Sequence, residues 1–382
     1  MMSYVSSAHI LRAQLAIILI ALLPGCSMFG GESTKPQPAA LQGVSGAVSA
    51  KQAWSSRIGQ VNFPLDVSIS GSTIFVAGGD GSVAALDTRT GGDVWRMNVG
   101  SPIAAGVGSD GRIATVVTRS NDLVALQDGR EIWRQKLNAQ AYTAPFVAGG
   151  RVFVLAADRS VNAFDGQTGK KLWAQQRPNE PLVLRQSGVI LAVGDTLVVG
   201  LAGRLAGLNP SSGSIRWEAP IASPRGINDV ERLVDLVGRV SRDGDTVCAR
   251  AFQTSVGCVN AARGNLLWTK PANGSQGIHG DDRFLFGTES NGVVLAWQRV
   301  DGERVWTTDV LRYRQLTSPL VVGSSIAIGD FAGFIHLLSR QDGSVLNRLA
   351  TDGSAIAAAP VLVGNILIAV TRNGGVYGFA PE

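Results

Sequence analysis

One phrase recurs along this chain: an apolar pair, a short polar turn, a glycine, three residues and a tryptophan. It reads LDTRTGGDVW (Gly91, Trp95), LQDGREIW (Gly129, Trp133), FDGQTGKKLW (Gly169, Trp173), LNPSSGSIRW (Gly213, Trp217), VNAARGNLLW (Gly264, Trp268) and WQRVDGERVW (Gly302, Trp306). A seventh copy, LSRQDGSVLN, keeps Gly343 and carries Asn347 where the tryptophan would stand. From Trp95 to Asn347 the six steps average 42 residues. Only eight tryptophans occur in 382 residues, so their return at this spacing identifies a repeat protein.

Within one period the pattern is that of strands. Between Ser72 and Met97, TIFVAG is apolar and β-branched, GGDG is a turn, SVAALD alternates, a second turn follows, and DVWRM alternates again. An inner run with Leu65, Val67 and Ile69 precedes these and makes four strands. Four short strands in about 40 residues is the period of a β-propeller blade. The 332 residues from Lys51 to Glu382 hold eight periods. The C-terminal segment supplies three strands and stops without a tryptophan strand, whereas Trp54 stands alone 41 residues before Trp95. The fold is therefore predicted as all-β, an eight-bladed propeller over 51–382, closed by pairing the N-terminal strand with the C-terminal blade. The 47 glycines fit this reading, because positive-φ turns lack a steric cost only for glycine. The tryptophans are expected to pack each outer strand on the next blade, with ligand stacking as the alternative.

The N-terminus reads differently. Arg12 precedes the apolar run LAIILIALL, which is too short to span a bilayer as a helix and reads as the core of a signal peptide over 1–25. Leu23-Pro24-Gly25-Cys26 resembles a bacterial lipobox, which implies cleavage before Cys26 and its acylation, with palmitate among the chains expected. Ser27 follows in place of an aspartate retention signal, so the outer membrane is the expected destination. From Cys26 to Ala50 the chain is Gly, Ser, Ala, Pro and Gln with few bulky apolar residues, and is expected to be a flexible tether.

The repeated phrase, without WD or GH dipeptides, is similar to that of the pyrroloquinoline-quinone propeller superfamily across 51–382. That superfamily holds dehydrogenases and binding scaffolds alike. Its enzymes carry a vicinal cysteine pair and carboxylates around a metal ion. Here the remaining cysteines, Cys248 and Cys258, are ten apart, and no carboxylate pair at metal-binding spacing stands out. His279 and His336 form no ligand motif, and are read as turn or strand residues. No catalytic residues, cofactor or metal are therefore expected. A hairpin about Gln253 would place Cys248 opposite Cys258, either as a cross-strand disulfide or as two buried free thiols.

Signal, tether and blade count together resemble the BamB family of lipoproteins of the outer-membrane β-barrel assembly machinery. The resemblance implies a non-enzymatic scaffold on the periplasmic face of the outer membrane. Its expected partners are BamA, other assembly-machinery subunits through it, and unfolded barrel precursors. In that family a Leu-x-Leu-Arg loop meets BamA, and Leu182, Leu184 and Arg185 match it. Two leucines facing solvent beside an arginine would be costly without a partner, although an inner strand with both in the core is the alternative. A second, acidic contact of the family falls on Asp235, while Val237 departs from its second position. The long step from Trp217 to Trp268 holds this stretch, as a loop between blades would. A formal charge of +5 without a basic cluster argues against nucleic acid. The readings from other classes are a quinone-dependent periplasmic dehydrogenase and a propeller lipoprotein holding another envelope component.

Overall fold

Alternating aliphatic runs separated by glycine turns produce four short strands per repeat, and in seven of the eight blades these pair only with their sequence neighbours. In a computed structural model of the chain, residues 36–44, 46, 48–176, 182–224, 227 and 233–381 are described. The signal segment, Cys26, Pro181 and Asp229 to Arg232 lie outside the described residues. The described residues form eight four-stranded antiparallel sheets. Blades 1 to 7 span 68–98, 103–136, 146–175, 190–220, 236–271, 278–308 and 320–350, each running from inner to outer strand in chain order. Blade 8 takes its three inner strands from 361–381 and its outer strand from Ala50–Arg57. That strand runs antiparallel to Gly375–Pro381, with Trp54 opposite Gly378. The chain ends therefore close an eight-bladed ring, as the spacing predicts.

The tryptophan and the glycine of the phrase meet across the seams between blades. A Cβ on Gly91 would lie 2.3 Å from the ring of Trp54, one on Gly169 2.7 Å from that of Trp133, and one on Gly264 2.3 Å from Trp217. Gly129, Gly213, Gly302 and Gly343 face Trp95, Trp173, Trp268 and Trp306 in the same way. Each of these glycines has φ between +70° and +74°. The position thus needs glycine for two reasons, a left-handed backbone and a flat aromatic ring lying on the Cα. Five indoles add a hydrogen bond to a backbone carbonyl of the next blade. Trp54, Trp133 and Trp268 Nε1 donate to Thr88, Gly166 and Arg299 at 2.8–2.9 Å, and Trp173 and Trp306 to Pro210 and Arg340 at 2.9–3.0 Å.

The outer strands have open edges, and a recurring distortion guards them. In every blade the pairing slips next to the tryptophan position, so that one residue bulges out: Val94 in blade 1, Ile132 in blade 2 and Ala53 in blade 8 are examples. Val94 is 58% exposed as a result. A bulge bends the edge and spoils the flat template that another strand would need.

Seven seams have a tryptophan and a glycine; the eighth, between blades 7 and 8, has neither. Blade 8 lacks the turn before its outer strand because the chain arrives there from the N-terminus. Asn347 replaces the tryptophan, and its Nδ2 donates to the carbonyl of Val48 at 2.6 Å. The described part of the chain before this point, expected as a tether, makes main-chain hydrogen bonds to the ring. The Ala39 amide donates to the Arg312 carbonyl at 2.8 Å and that of Gly46 to the Leu346 carbonyl at 3.1 Å. Arg314 Nη1 and Arg348 Nη2 donate to the carbonyls of Ala39 and Gln42 at 3.1 and 2.8 Å. Arg314 is itself fixed from below, because buried Asp330 accepts from its Nε at 2.7 Å and lies 2.9 Å from His336 Nε2. A segment poor in apolar side chains is held by its main chain, which composition does not register.

The core follows the seams. One apolar cluster joins Trp54 and Val376 of blade 8 to Ile74 and Leu86 of blade 1 and Val116 of blade 2. Another joins Phe286 and Val294 of blade 6 to Ile326 and Leu338 of blade 7. In blade 5, Cys248 stands directly opposite Cys258 on the neighbouring strand, and their sulfurs are bonded at 1.95 Å. Both are fully buried.

The seam contact is separable from the backbone cost of a positive φ. Gly264 and Gly244 both have left-handed φ, +70° and +54°, but a Cβ on Gly244 would meet nothing within 4 Å. In denaturant titrations Gly244→Ala is expected to cost about 1 kcal/mol of stability from the backbone alone. Gly264→Ala should cost about 1–3 kcal/mol more, because its methyl group displaces Trp217. Equal costs would mean that the indole does not press on this site.

Candidate partner-binding site

The segment Leu182 to Arg185 runs outside any strand, just ahead of the innermost strand of blade 4, Ile190–Val193. It is thus a loop, and the two leucines do not fill an inner strand. Leu182 is 40% exposed, Val183 and Leu184 are half-buried, and Arg185 is exposed.

An ion pair holds this loop in place. Arg159, in the turn between two strands of blade 3, has φ +61° and is buried. Its Nη1 donates to Asp235 Oδ1 at 2.6 Å, and its Nη2 donates to the Leu182 carbonyl at 2.8 Å. The other carboxylate oxygen of Asp235 accepts the amide of Leu184 at 2.9 Å. One bridge therefore joins blade 3, the loop and the approach to blade 5. With side-chain exposures of 8% and 15%, the pair is largely removed from water, where opposite charges attract strongly but each alone would be costly.

This geometry gives Asp235 a different part from the one its sequence position implies. Both of its oxygens point inward, one to Arg159 and one to the Leu184 amide, so it positions the loop. Val237, which stands where the second acidic residue would be, lines the cavity beneath. That cavity is shallow, about 50 Å³, and lies between the loop and Leu155, Ala156, Leu201 and Leu236. Tyr142 forms its rim, and the Arg185 guanidinium lies over the Tyr142 ring at 5.8 Å from its centre. The result is a rigid apolar platform bearing one exposed leucine and one exposed cation.

Arg159 and Tyr142 belong to the site and were not among the residues expected from sequence. A single arginine after an aspartate in a turn carries no pattern, and its contact with Asp235 crosses 76 residues. The other expected residues fall elsewhere. Cys26 lies outside the described residues. Cys248 and Cys258 sit in the core between blades 5 and 6, packed against Trp268 and Trp297. His336 belongs to the buried network under the N-terminal segment. Burial, then the nearby Arg239 and Arg299, lower the His279 pKa to about 4, and its Nδ1 accepts the Val321 amide at 3.2 Å.

The bridge makes a local prediction. Asp235→Ala and Arg159→Ala are each expected to cost about 3–5 kcal/mol, because each leaves its partner's charge stranded. The double variant should cost little more than either single one, a coupling that denaturant titrations of all four proteins measure. Amide exchange at Leu184 should accelerate in Asp235→Ala; unchanged protection there would show that the carboxylate does not hold the loop.

Three comparisons bear on what this platform serves. A family model described as outer membrane protein assembly factor BamB matches residues 79–308. A relative of that name from Burkholderia pseudomallei is 37% identical over 367 residues, covering 95% of this chain and 96% of its own. Another from Bordetella pertussis is 33% identical over 365 residues, covering 94% and 95%. Among solved structures, that of BamB from Moraxella catarrhalis superposes with a TM-score of 0.80 at 23% identity, over 87% of this chain and all of that one. Quinohemoprotein alcohol dehydrogenase from Comamonas testosteroni reaches 0.67 at 14%, over 87% and 77%. At such identities the two structural likenesses speak to the propeller fold alone.

Proposed function

The chain belongs to the BamB family of outer-membrane protein assembly factors, and from that premise we propose that it is a non-enzymatic scaffold of the β-barrel assembly machinery. In this reading the loop Leu182 to Arg185 is the contact with BamA. Assembly of unfolded barrel precursors then depends on holding that contact in a fixed direction. The observation that carries the proposal is the clamped loop. A segment exposing Leu182 and Arg185 is pinned by Asp235 and Arg159 rather than left to fold its leucines inward. Exposed apolar surface that a protein rigidifies is surface prepared for a partner, and leucine–arginine anchors of this kind concentrate binding energy. Preorganisation lowers the conformational entropy that association must overcome.

The proposal needs no chemistry. The two cysteines of the ring are joined to each other inside the core. His279, whose pKa is lowered to about 4, stays neutral near pH 7 and has its Nδ1 committed to a backbone amide. We further propose that Cys26 is acylated after removal of residues 1–25, which would hold the ring at the periplasmic face of the outer membrane.

Leu184→Ala combined with Arg185→Ala is expected to reduce capture of BamA at least about 100-fold, as loss of hot-spot anchors does. The circular dichroism spectrum should stay the same. Undiminished capture would remove the loop from the interface. For the anchor, labelled palmitate should be incorporated by the natural chain and not by Cys26→Ser; equal labelling of the two would end that part of the proposal.

A further inference from the structure

A polar chamber lies on the axis of the ring and shares Arg185 with the loop platform. Two cavities of about 360 and 250 Å³ share Asp66, Ser187, Gly238 and Arg239. The larger is lined from the approaches to blades 1, 4, 6, 7 and 8 and from blade 5 itself, which places it in the central funnel. The four shared residues form a waist between the two chambers.

Positive charge dominates the larger chamber. Arg185, Arg239 and Arg372 line it, against one carboxylate, Asp66. Asp66 is already engaged, because its Oδ2 accepts the Ser187 hydroxyl at 2.6 Å. Burial pushes its carboxyl pKa up, against the pull of Ser187 and of Arg239. Burial likewise lowers the Arg239 pKa, and Asp66 offsets this in part. Both side chains keep some surface open to the funnel, which tempers these effects without reversing them. Arg239 uses Nη1 on the Pro360 carbonyl at 3.0 Å and keeps its other donors. Arg372 is exposed, and among the described residues its guanidinium meets no protein partner; the same holds for the side chains of Ser275 and Gln276. His279, neutral beside Arg239, adds no charge of either sign near pH 7.

Two guanidinium groups with open donors, lining one funnel with two neutral polar side chains, present the chemistry that binds an oxyanion. Their planar geometry pairs with two oxygens at once, and the low-dielectric walls concentrate the field. We propose that the chamber is an oxyanion-binding site, taking a carboxylate or phosphate group between Arg239 and Arg372 beside the donors Ser275 and Gln276. Carboxylate and phosphate share this recognition.

Calorimetric titration of the full-length chain at low ionic strength, with citrate and inorganic phosphate as separate probes, tests the proposal. Saturable one-to-one binding of at least one probe is expected, and the probe that binds identifies the group. Arg372→Gln should weaken binding at least about tenfold, the contribution of one charge-assisted hydrogen bond. Its thermal unfolding should be unchanged, since among the described residues the side chain makes no hydrogen bond or ion pair. Arg239→Gln should abolish binding. Leu182→Ala, which alters the partner loop, should leave the titration as it was, so that this site and the BamA contact can fail separately. If neither probe saturates by about 10 mM, or if Arg372→Gln binds as tightly as the natural chain, the assignment is overturned.

Discussion

The contact of a tryptophan ring with the bare Cα of a glycine one blade further on holds this molecule together. A blade on its own is a twisted four-stranded sheet with two apolar faces and no way to bury them. The indole covers the outer part of the seam and, in five cases, ties it with a hydrogen bond to the neighbouring turn. Inside this fastening the aliphatic clusters span from blade to blade. Because the glycine also supplies the left-handed turn into the tryptophan strand, one short phrase encodes both the turn and the joint.

Where the ring departs from its repeat, the departure has a use. The blade 7–8 seam lacks the aromatic contact and is bridged by Asn347 and the incoming N-terminal segment, which Arg348 of blade 7 and Arg314 just before that blade hold. The approach to blade 4 is longer than a turn requires, and Arg159 with Asp235 makes the surplus rigid. A buried ion pair adds little net stability compared with an apolar replacement, but it fixes direction. Here it fixes the loop that exposes Leu182 and Arg185.

The period, the blade count and the closure at Trp54 were legible because each follows from a short local phrase, whose turn and strand preferences survive in sequence and whose copies can be counted along it. The loop was legible as a family resemblance and as an oddly apolar stretch. Its clamp was not: Arg159 and Asp235 acquire their meaning only when the fold brings together residues 76 apart, and no local pattern marks either. The bonds of Asp235 to Arg159 and to the Leu184 amide were equally illegible, since sequence cannot tell a carboxylate facing a partner from one turned back on its own loop. The contacts of the N-terminal segment were illegible for a related reason. Composition measures what side chains can bury, whereas Ala39, Gln42, Gly46 and Val48 are held by carbonyls and amides that every residue possesses.

Closure of the ring by its two ends also sets an order of events. The strand Ala50–Arg57 is among the first of the ring to be synthesised, and its pairing partner, Gly375–Pro381, is the last. Until that partner arrives, Trp54 has no Gly378 beneath it and the innermost strands of blade 8 are unborn. Blades 1 to 7 can form and dock in sequence, since each is local, but the loop that joins the ends closes only over nearly the whole chain. The growing propeller is therefore an open arc with two raw faces, and a truncation that removes the last strand leaves it so.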